Sequence, residues 1–226
     1  DGGGLGKRTC RARGLPAALR PVREATLARI TYLTAIDLGA GEAAGLPAAL
    51  AELGVSRPLM VADRGIAAAG LLDRVAGPLG AVPTVLDVPT NPTEAAVLGA
   101  LALYRGEGCD GVVALGGGSP IDLAKAVALL ATHEGPLVRF AAIEGGLGRI
   151  GPTAPVVAIP TTAGTGAEVG RAALITLADG RKVGLISPHL IPRRAIVDPE
   201  LTLGLPPGFT AATGLDALSH CIETFL

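Results

Sequence analysis

At 226 residues, 49% of them hydrophobic, the chain is long enough to bury a sizeable core, as one globular domain or as one domain plus part of another. A formal net charge of -1 provides no global field for nucleic acid or a membrane surface, and 2% aromatic residues are too few for base-stacking platforms. No uninterrupted apolar run approaches the length of a bilayer span, so the composition excludes nucleic-acid and membrane partners.

Residues 1–28 differ from the rest. Lys7, Arg8, Arg11, Arg13, Arg20 and Arg23 make the segment basic, with glycines and prolines between them and no apolar h-region. It reads as a disordered extension or a mis-set translation start, with an Arg-rich transit peptide as the alternative. From there the pattern becomes regular. Residues 29–33 alternate like a strand, Gly39 to Gly41 turn, and residues 46–53 form a helix ended by Gly54. Residues 58–63 are the next strand. Its last residue, Asp63, stands where a strand of an α/β sheet ends. An acid there can accept a hydrogen bond from a ribose hydroxyl and repel a 2′-phosphate, or simply cap the helix that follows. Residues 71–79 read as a helix and residues 82–86 as a strand near a sheet edge, given Pro83. Asn91, Pro92, Thr93 and Glu94 open a helix that runs through Tyr104.

Residues 111–115 form a short apolar run rich in β-branched side chains, the pattern of a buried parallel strand. Gly116, Gly117 and Gly118 follow, and then a helix over residues 124–131. Strand, glycine turn and helix in that order make an anion site: no side chain keeps a phosphate off the backbone, and the helix start offers unpaired N–H groups. Ser119 is expected at the N-cap, Pro120 at the first helical position, and Asp122 two residues further, reaching back to the cap. A plain tight turn is the competing reading of these residues.

Residues 132–154 read as a long connection in which His133 is a solvated loop residue. Residues 155–159 are another buried strand, running into a small, hydroxyl-rich turn, Pro160 to Glu168. Its threonines could complete a cofactor cleft or bond their own backbone. Residues 172–177 and 182–186 flank Asp179-Gly180, a hairpin signal. His189 reads as structural or exposed, and residues 194–198 as the last strand. In the final helix Asp216 and His220 lie at i and i+4, so both face one way. They suit either a metal ion, which needs more ligands than two, or a surface ion pair. Cys10, Cys109 and Cys221 are far apart with no Cys-x-x-Cys pair, which fits reduced thiols in a cytoplasm. Alternating strands and helices predict an α/β fold with a doubly wound parallel sheet.

Three segments, residues 116–125 (GGGSPIDLAK), 160–168 (PTTAGTGAE) and 198–220 (DPELTLGLPPGFTAATGLDALSH), together resemble the signatures of the iron-containing (group III) alcohol dehydrogenases. The detail at residues 32–34, 131–135, 143–146 and 220–226 is similar to the 4-hydroxybutyrate dehydrogenase branch. The resemblance implies a Rossmann-like NAD-binding domain over residues 29–205 and the start of an all-helical, metal-binding domain over residues 206–226. It implies that Gly117, Gly118 and Ser119 hold the pyrophosphate of NAD and that Asp122, Thr161, Thr162, Thr165 and Lys182 line the cofactor. Asn91 matches another cofactor-side position, and Asp63 the ribose-binding acid that favours NAD over NADP. Asp216 and His220 match the first two of four ligands to iron or zinc. Ala167 stands where the family usually has serine. No histidine follows His220, so the sequence reads as a fragment of a longer protein or as a truncated, inactive product. The implied reaction is metal-assisted hydride transfer from a small alcohol, such as a hydroxy acid, to the nicotinamide of NAD, which interconverts the alcohol and its aldehyde. No side chain presents itself as a general base. A homo-oligomer is compatible with all of this. The rival readings are a non-catalytic dinucleotide-binding fragment, a lyase of the dehydroquinate-synthase type and a plain interaction module that binds no NAD. The Asp-x-x-x-His spacing and PTTAGTGAE speak against the second.

Overall fold

The computed structural model describes residues 34–226; the basic segment 1–28 and the strand expected over residues 29–33 lie outside the described residues. The first described strand is β1 (Ala35–Leu38). It is followed by α1 (Leu46–Glu52), β2 (Pro58–Val61), α2 (Arg64–Ala68), α3 (Leu71–Ala76), β3 (Thr84–Val85) and α4 (Glu94–Gly106). Then come β4 (Gly111–Gly116), α5 (Gly118–Thr132), β5 (Val156–Pro160), β6 (Ala172–Thr176), β7 (Lys182–Ile186), β8 (Arg194–Val197) and α6 (Pro207–Phe225).

Six strands form one parallel sheet in the order β1-β8-β5-β4-β2-β3, and β6 and β7 pair separately as an antiparallel hairpin. The three central strands β2, β4 and β5 are buried along their whole length. That is why they read as unbroken apolar runs rather than alternating ones. Successive residues still serve opposite faces. Leu59, Val61, Val112 and Ala114 pack toward α4 and α5, whereas Met60, Val113, Leu115 and Ile159 pack toward α1 and α3. Each such large side chain removed from water contributes about 1.5–3 kcal/mol before entropy is subtracted. Helix α4 shows how its position is specified. Thr93 caps it by accepting the Ala96 N–H at 3.2 Å, and Val97, Ala100, Leu101 and Tyr104 form the buried stripe.

The hairpin turns at Asp179-Gly180 as its residues predict, with Gly180 at φ 85°. It lies on the α5 face of the sheet, turning Ala173 and Ile175 into the core. The connection 132–154 is three short 3-10 turns, and His133 is not solvated as expected. Its Nε2 accepts the Gly151 N–H at 2.9 Å, so Nδ1 carries the proton and donates to the Leu129 carbonyl at 3.1 Å. The ring splints the two ends of the connection, with its edge against Phe140 at a centroid distance of 5.7 Å. Gly146 closes the same turn, where a Cβ would lie 2.3 Å from the Phe140 carbonyl carbon.

The strand order decides where a ligand can sit. From β2 the chain moves outward to the edge strand β3, then returns across β2 to β4. The connection leaving β4 runs the other way, to β5, so it diverges from the one leaving β2, and a crevice opens between the carboxyl ends of β2 and β4. Among the described residues no helix is long and apolar enough to cross a membrane.

Candidate cofactor cleft and metal-ligand pair

Strand β4 ends at Gly116, whose φ of +146° is open only to glycine, and where a Cβ would press within 2.8 Å of Pro120 Cγ. The chain turns there and enters α5 at Gly118, earlier than the sequence predicts. The N-cap is Gly117, not Ser119, and among the described residues no side chain caps the helix. Pro120 takes the third helical position instead of the first. The Ser119 hydroxyl donates to the Thr90 carbonyl, and Asp122 accepts the Leu174 N–H at 3.1 Å instead of reaching back to the cap. With no Cβ to resist, two glycines let the backbone coil sooner, and distant backbone groups outbid the local caps. The first turn of this 15-residue helix is left with its N–H groups and its positive end clear of any capping side chain.

The threonine turn after β5 packs directly on the glycine turn. The Thr161 N–H donates to the Gly116 carbonyl at 3.0 Å. A Cβ on Gly117 would stand 3.2 Å from Thr162 Oγ1, and one on Gly118 equally close to Thr165 Oγ1. Across the crevice Asp63 caps α2, its Oδ1 accepting the Ile66 N–H at 2.9 Å. The capping alternative for this residue is therefore realised, and its other oxygen remains. These elements enclose a cleft of about 970 Å³ that brings together Asp63, Gly117, Gly118, Ser119, Thr161 and Thr162. Sequence reasoning missed its apolar wall, formed by Leu71, Leu86, Leu205 and Phe209. Nothing local marks those residues, because they come from three separate segments.

Asn91, Asp122, Thr165 and Lys182 do not line that cleft. Lys182 Nζ donates to Asn91 Oδ1 at 2.9 Å. Burial pushes the Asp122 carboxyl above its ordinary range, against the Leu174 N–H and the charges of Lys125 and Lys182. Lys125, which the sequence reading left unremarked, is fully buried. Its ammonium donates to the carbonyls of Ala167, Gly170 and Ala172 at 2.6, 2.8 and 2.9 Å. A single charge inside the apolar run 123–130 was the signal available.

On α6, Asp216 Oδ1 and His220 Nδ1 are 3.7 Å apart, and both side chains are partly exposed. His220 Nδ1 also lies 2.8 Å from the Asp216 carbonyl. A proton donated there leaves Nε2 free as a ligand atom. A Cβ on Gly164 would stand 3.2 Å from Asp216 Oδ2, so the threonine turn adjoins this pair. A carboxylate and a neutral imidazole are a fitting donor set for iron or zinc, but only part of one. Among the described residues no group of three or more His, Cys, Asp and Glu side chains could hold a metal ion.

The comparisons agree on one family. Residues 34–199 match the model of the iron-containing alcohol dehydrogenases. A 4-hydroxybutyrate dehydrogenase of Cupriavidus necator is 54% identical over 203 residues, 88% of this chain and 53% of that protein. The crystal structure of a 1,3-propanediol oxidoreductase superposes with a TM-score of 0.80 at 34% identity, over 86% of this chain and 52% of its own. A sulfoacetaldehyde reductase of Bifidobacterium kashiwanohense, crystallised with NAD+, gives 0.79 at 32% identity, over 89% of this chain and 54% of its own. The chain thus spans about half the length of the curated relatives it matches. Its parallel sheet is the Rossmann-like part of that fold, and it belongs to the iron-containing alcohol dehydrogenase family.

Proposed function

We propose that the chain carries the cofactor side of an NAD-dependent, metal-assisted dehydrogenase acting on a small primary or hydroxy-acid alcohol. The observation that carries this reading is the uncapped start of α5 at Gly117 and Gly118, opening into the cleft at the strand-order reversal. In this reading the backbone N–H groups of Gly117, Gly118 and Ser119 receive the diphosphate, and Asp63 accepts from a ribose hydroxyl. Asp122, Thr161, Thr162, Thr165 and Lys182 are assigned to the lining of the cofactor, and Asn91 to another cofactor-side position. The sulfoacetaldehyde reductase holding NAD+ supports the choice of dinucleotide.

Asp216 and Nε2 of His220 would hold the metal, with residues 206–226 as the beginning of a metal-binding region and residues 29–205 as the cofactor domain. Bound there, NAD would supply a hydride acceptor and a divalent cation would supply Lewis acidity toward the alcohol oxygen. The closeness of Gly164 in the threonine turn to the Asp216 carboxylate supports this reading. A hydroxy acid such as 4-hydroxybutyrate is the preferred substrate class, on the strength of the Cupriavidus relative. The buried, unpaired Cys109 accords with a reducing, cytoplasmic setting.

NADH fluorescence tests the reading. Titration of this chain should give saturable, micromolar binding that ADP-ribose displaces. Absence of binding at millimolar NADH would overturn it.

A further inference from the structure

We propose that Lys125 is a positioning residue for the cofactor cleft: by gripping the carbonyls of Ala167, Gly170 and Ala172, its ammonium fixes the Thr165 hydroxyl beside Gly118. The inference rests on the reading of that cleft as the NAD site. A lysine with no exposed surface is a costly core residue, and among the described residues it has no carboxylate partner within salt-bridge distance. A methionine of similar length would pack the same space without that cost. What only the ammonium provides is three donors converging on three backbone carbonyls of one irregular segment.

That segment joins the threonine turn to β6. Ala167, held at its carbonyl by Lys125, donates its own N–H to Thr165 Oγ1 at 3.3 Å. The same hydroxyl oxygen is the atom a Cβ on Gly118 would meet at 3.2 Å. One turn earlier on α5, Asp122 takes the Leu174 N–H, so the helix that opens the anion site also holds β6, the strand into which this segment runs. The near end is held at Thr161 by the Gly116 carbonyl. Thr165 itself is exposed, and among the described residues the Ala167 N–H is the hydrogen-bond partner of its hydroxyl.

Burial pushes the Lys125 ammonium down to about 8, against the opposing charges of Asp122 on its own helix and Glu168 on the turn. Lys182, from the hairpin, is the remaining charge acting on Asp122. Above that value a neutral amine keeps two donors for three carbonyls, and the grip on the turn is incomplete. The charged form is the one that positions, so cofactor affinity should fall as pH rises through about 8.

The test is NADH affinity of this chain for wild type, Lys125→Met, Thr165→Ala and the double variant. Each single substitution should weaken NADH about tenfold, and the double variant should be no weaker than either alone, since the lysine acts through the threonine. Lys125→Met binding like wild type, or additive losses in the double variant, would overturn the proposal alone. A wild-type chain that binds no NADH at neutral pH would overturn the cleft reading as well. Should Lys125→Met not fold, wild type and Thr165→Ala suffice. Affinity must fall through a pH of about 8 in the first and stay level in the second, and a level wild-type profile refutes the idea.

Discussion

Asp63 carries two duties that a pair of substitutions separates. It caps α2 through the Ile66 N–H, and it lines the cleft at the end of β2. Serine caps a helix about as well as aspartate, so Asp63→Ser should change stability by less than about 0.5 kcal/mol, whereas Asp63→Ala should lose about 1 kcal/mol. Both remove the charge. A ribose hydroxyl bonded to a carboxylate is worth about 1.5–3 kcal/mol. Repulsion of a 2′-phosphate about 5 Å away adds about 0.8–3 kcal/mol per unit charge as the effective dielectric runs from about 80 down to 20. Taking the weaker ends of both ranges, Asp63 supplies a preference for NADH over NADPH of about 100-fold. The neighbouring Arg64 does not offset this, because it is paired with Asp87 at 2.6 Å. NADH and NADPH fluorescence titrations, set beside urea unfolding midpoints, measure both duties. Asp63→Ser should cut the preference by about that factor while keeping the midpoint. If the serine variant keeps its preference within about threefold, the ribose assignment is wrong; if it unfolds as readily as the alanine variant, the capping argument is wrong.

Other outcomes follow from the same geometry. Gly116→Ala places a Cβ against Pro120 at a φ of +146° and should cost about 2–3 kcal/mol in urea unfolding, with a loss under about 0.5 kcal/mol refuting it. Asp198 is buried and accepts from the N–H groups of Gly41, Ala43 and Glu200. Asp198→Ala should therefore lose about 2–4 kcal/mol. Burial pushes the Asp198 carboxyl up, but those donors and Arg74 outweigh it and hold it below the ordinary carboxylate range. Its stabilisation is complete above the unfolded carboxylate value and disappears as pH falls through the lowered folded one. The acid limb of the stability curve should accordingly flatten in the alanine variant. Chelation of divalent cations should leave the NADH affinity of this chain unchanged, because Asp216 and His220 supply two ligands outside the cleft; a shift beyond about threefold would contradict that separation.

The centre of the sheet was legible because a strand covered on both faces has no reason to alternate. Residues 58–61, 111–116 and 156–160 each appear as an unbroken apolar run and are the strands β2, β4 and β5. The edge was harder to read. Among the described residues strand β1 has only β8 beside it and exposes Ile36 and Leu38, so its four residues give no buried face to detect. The hairpin turn was legible at Asp179-Gly180, where one glycine conformation decides the outcome. The wall of the cleft was not, since Leu71, Leu86, Leu205 and Phe209 meet only once the chain has folded.

The start of α5 shows why local rules failed at the most informative motif. Ser119, Pro120 and Asp122 make a good N-terminal sequence for a helix standing alone in water. In the fold each polar side chain of the motif is instead committed to backbone far away in the chain. Ser119 serves the Thr90 carbonyl, Asp122 the Leu174 N–H, and Lys125 three carbonyls of the segment after the threonine turn. The division of labour has a physical reason. A capping side chain would occupy the very N–H groups that an anion needs, so a helix start that is to bind one must be left bare. Stability forgone at the cap is recovered by bonds that the same side chains make elsewhere, and those bonds bring the second turn up against the first. The polar residues of the motif thus shape the cleft through the chain's own backbone, while its glycines leave the backbone N–H groups open to the ligand.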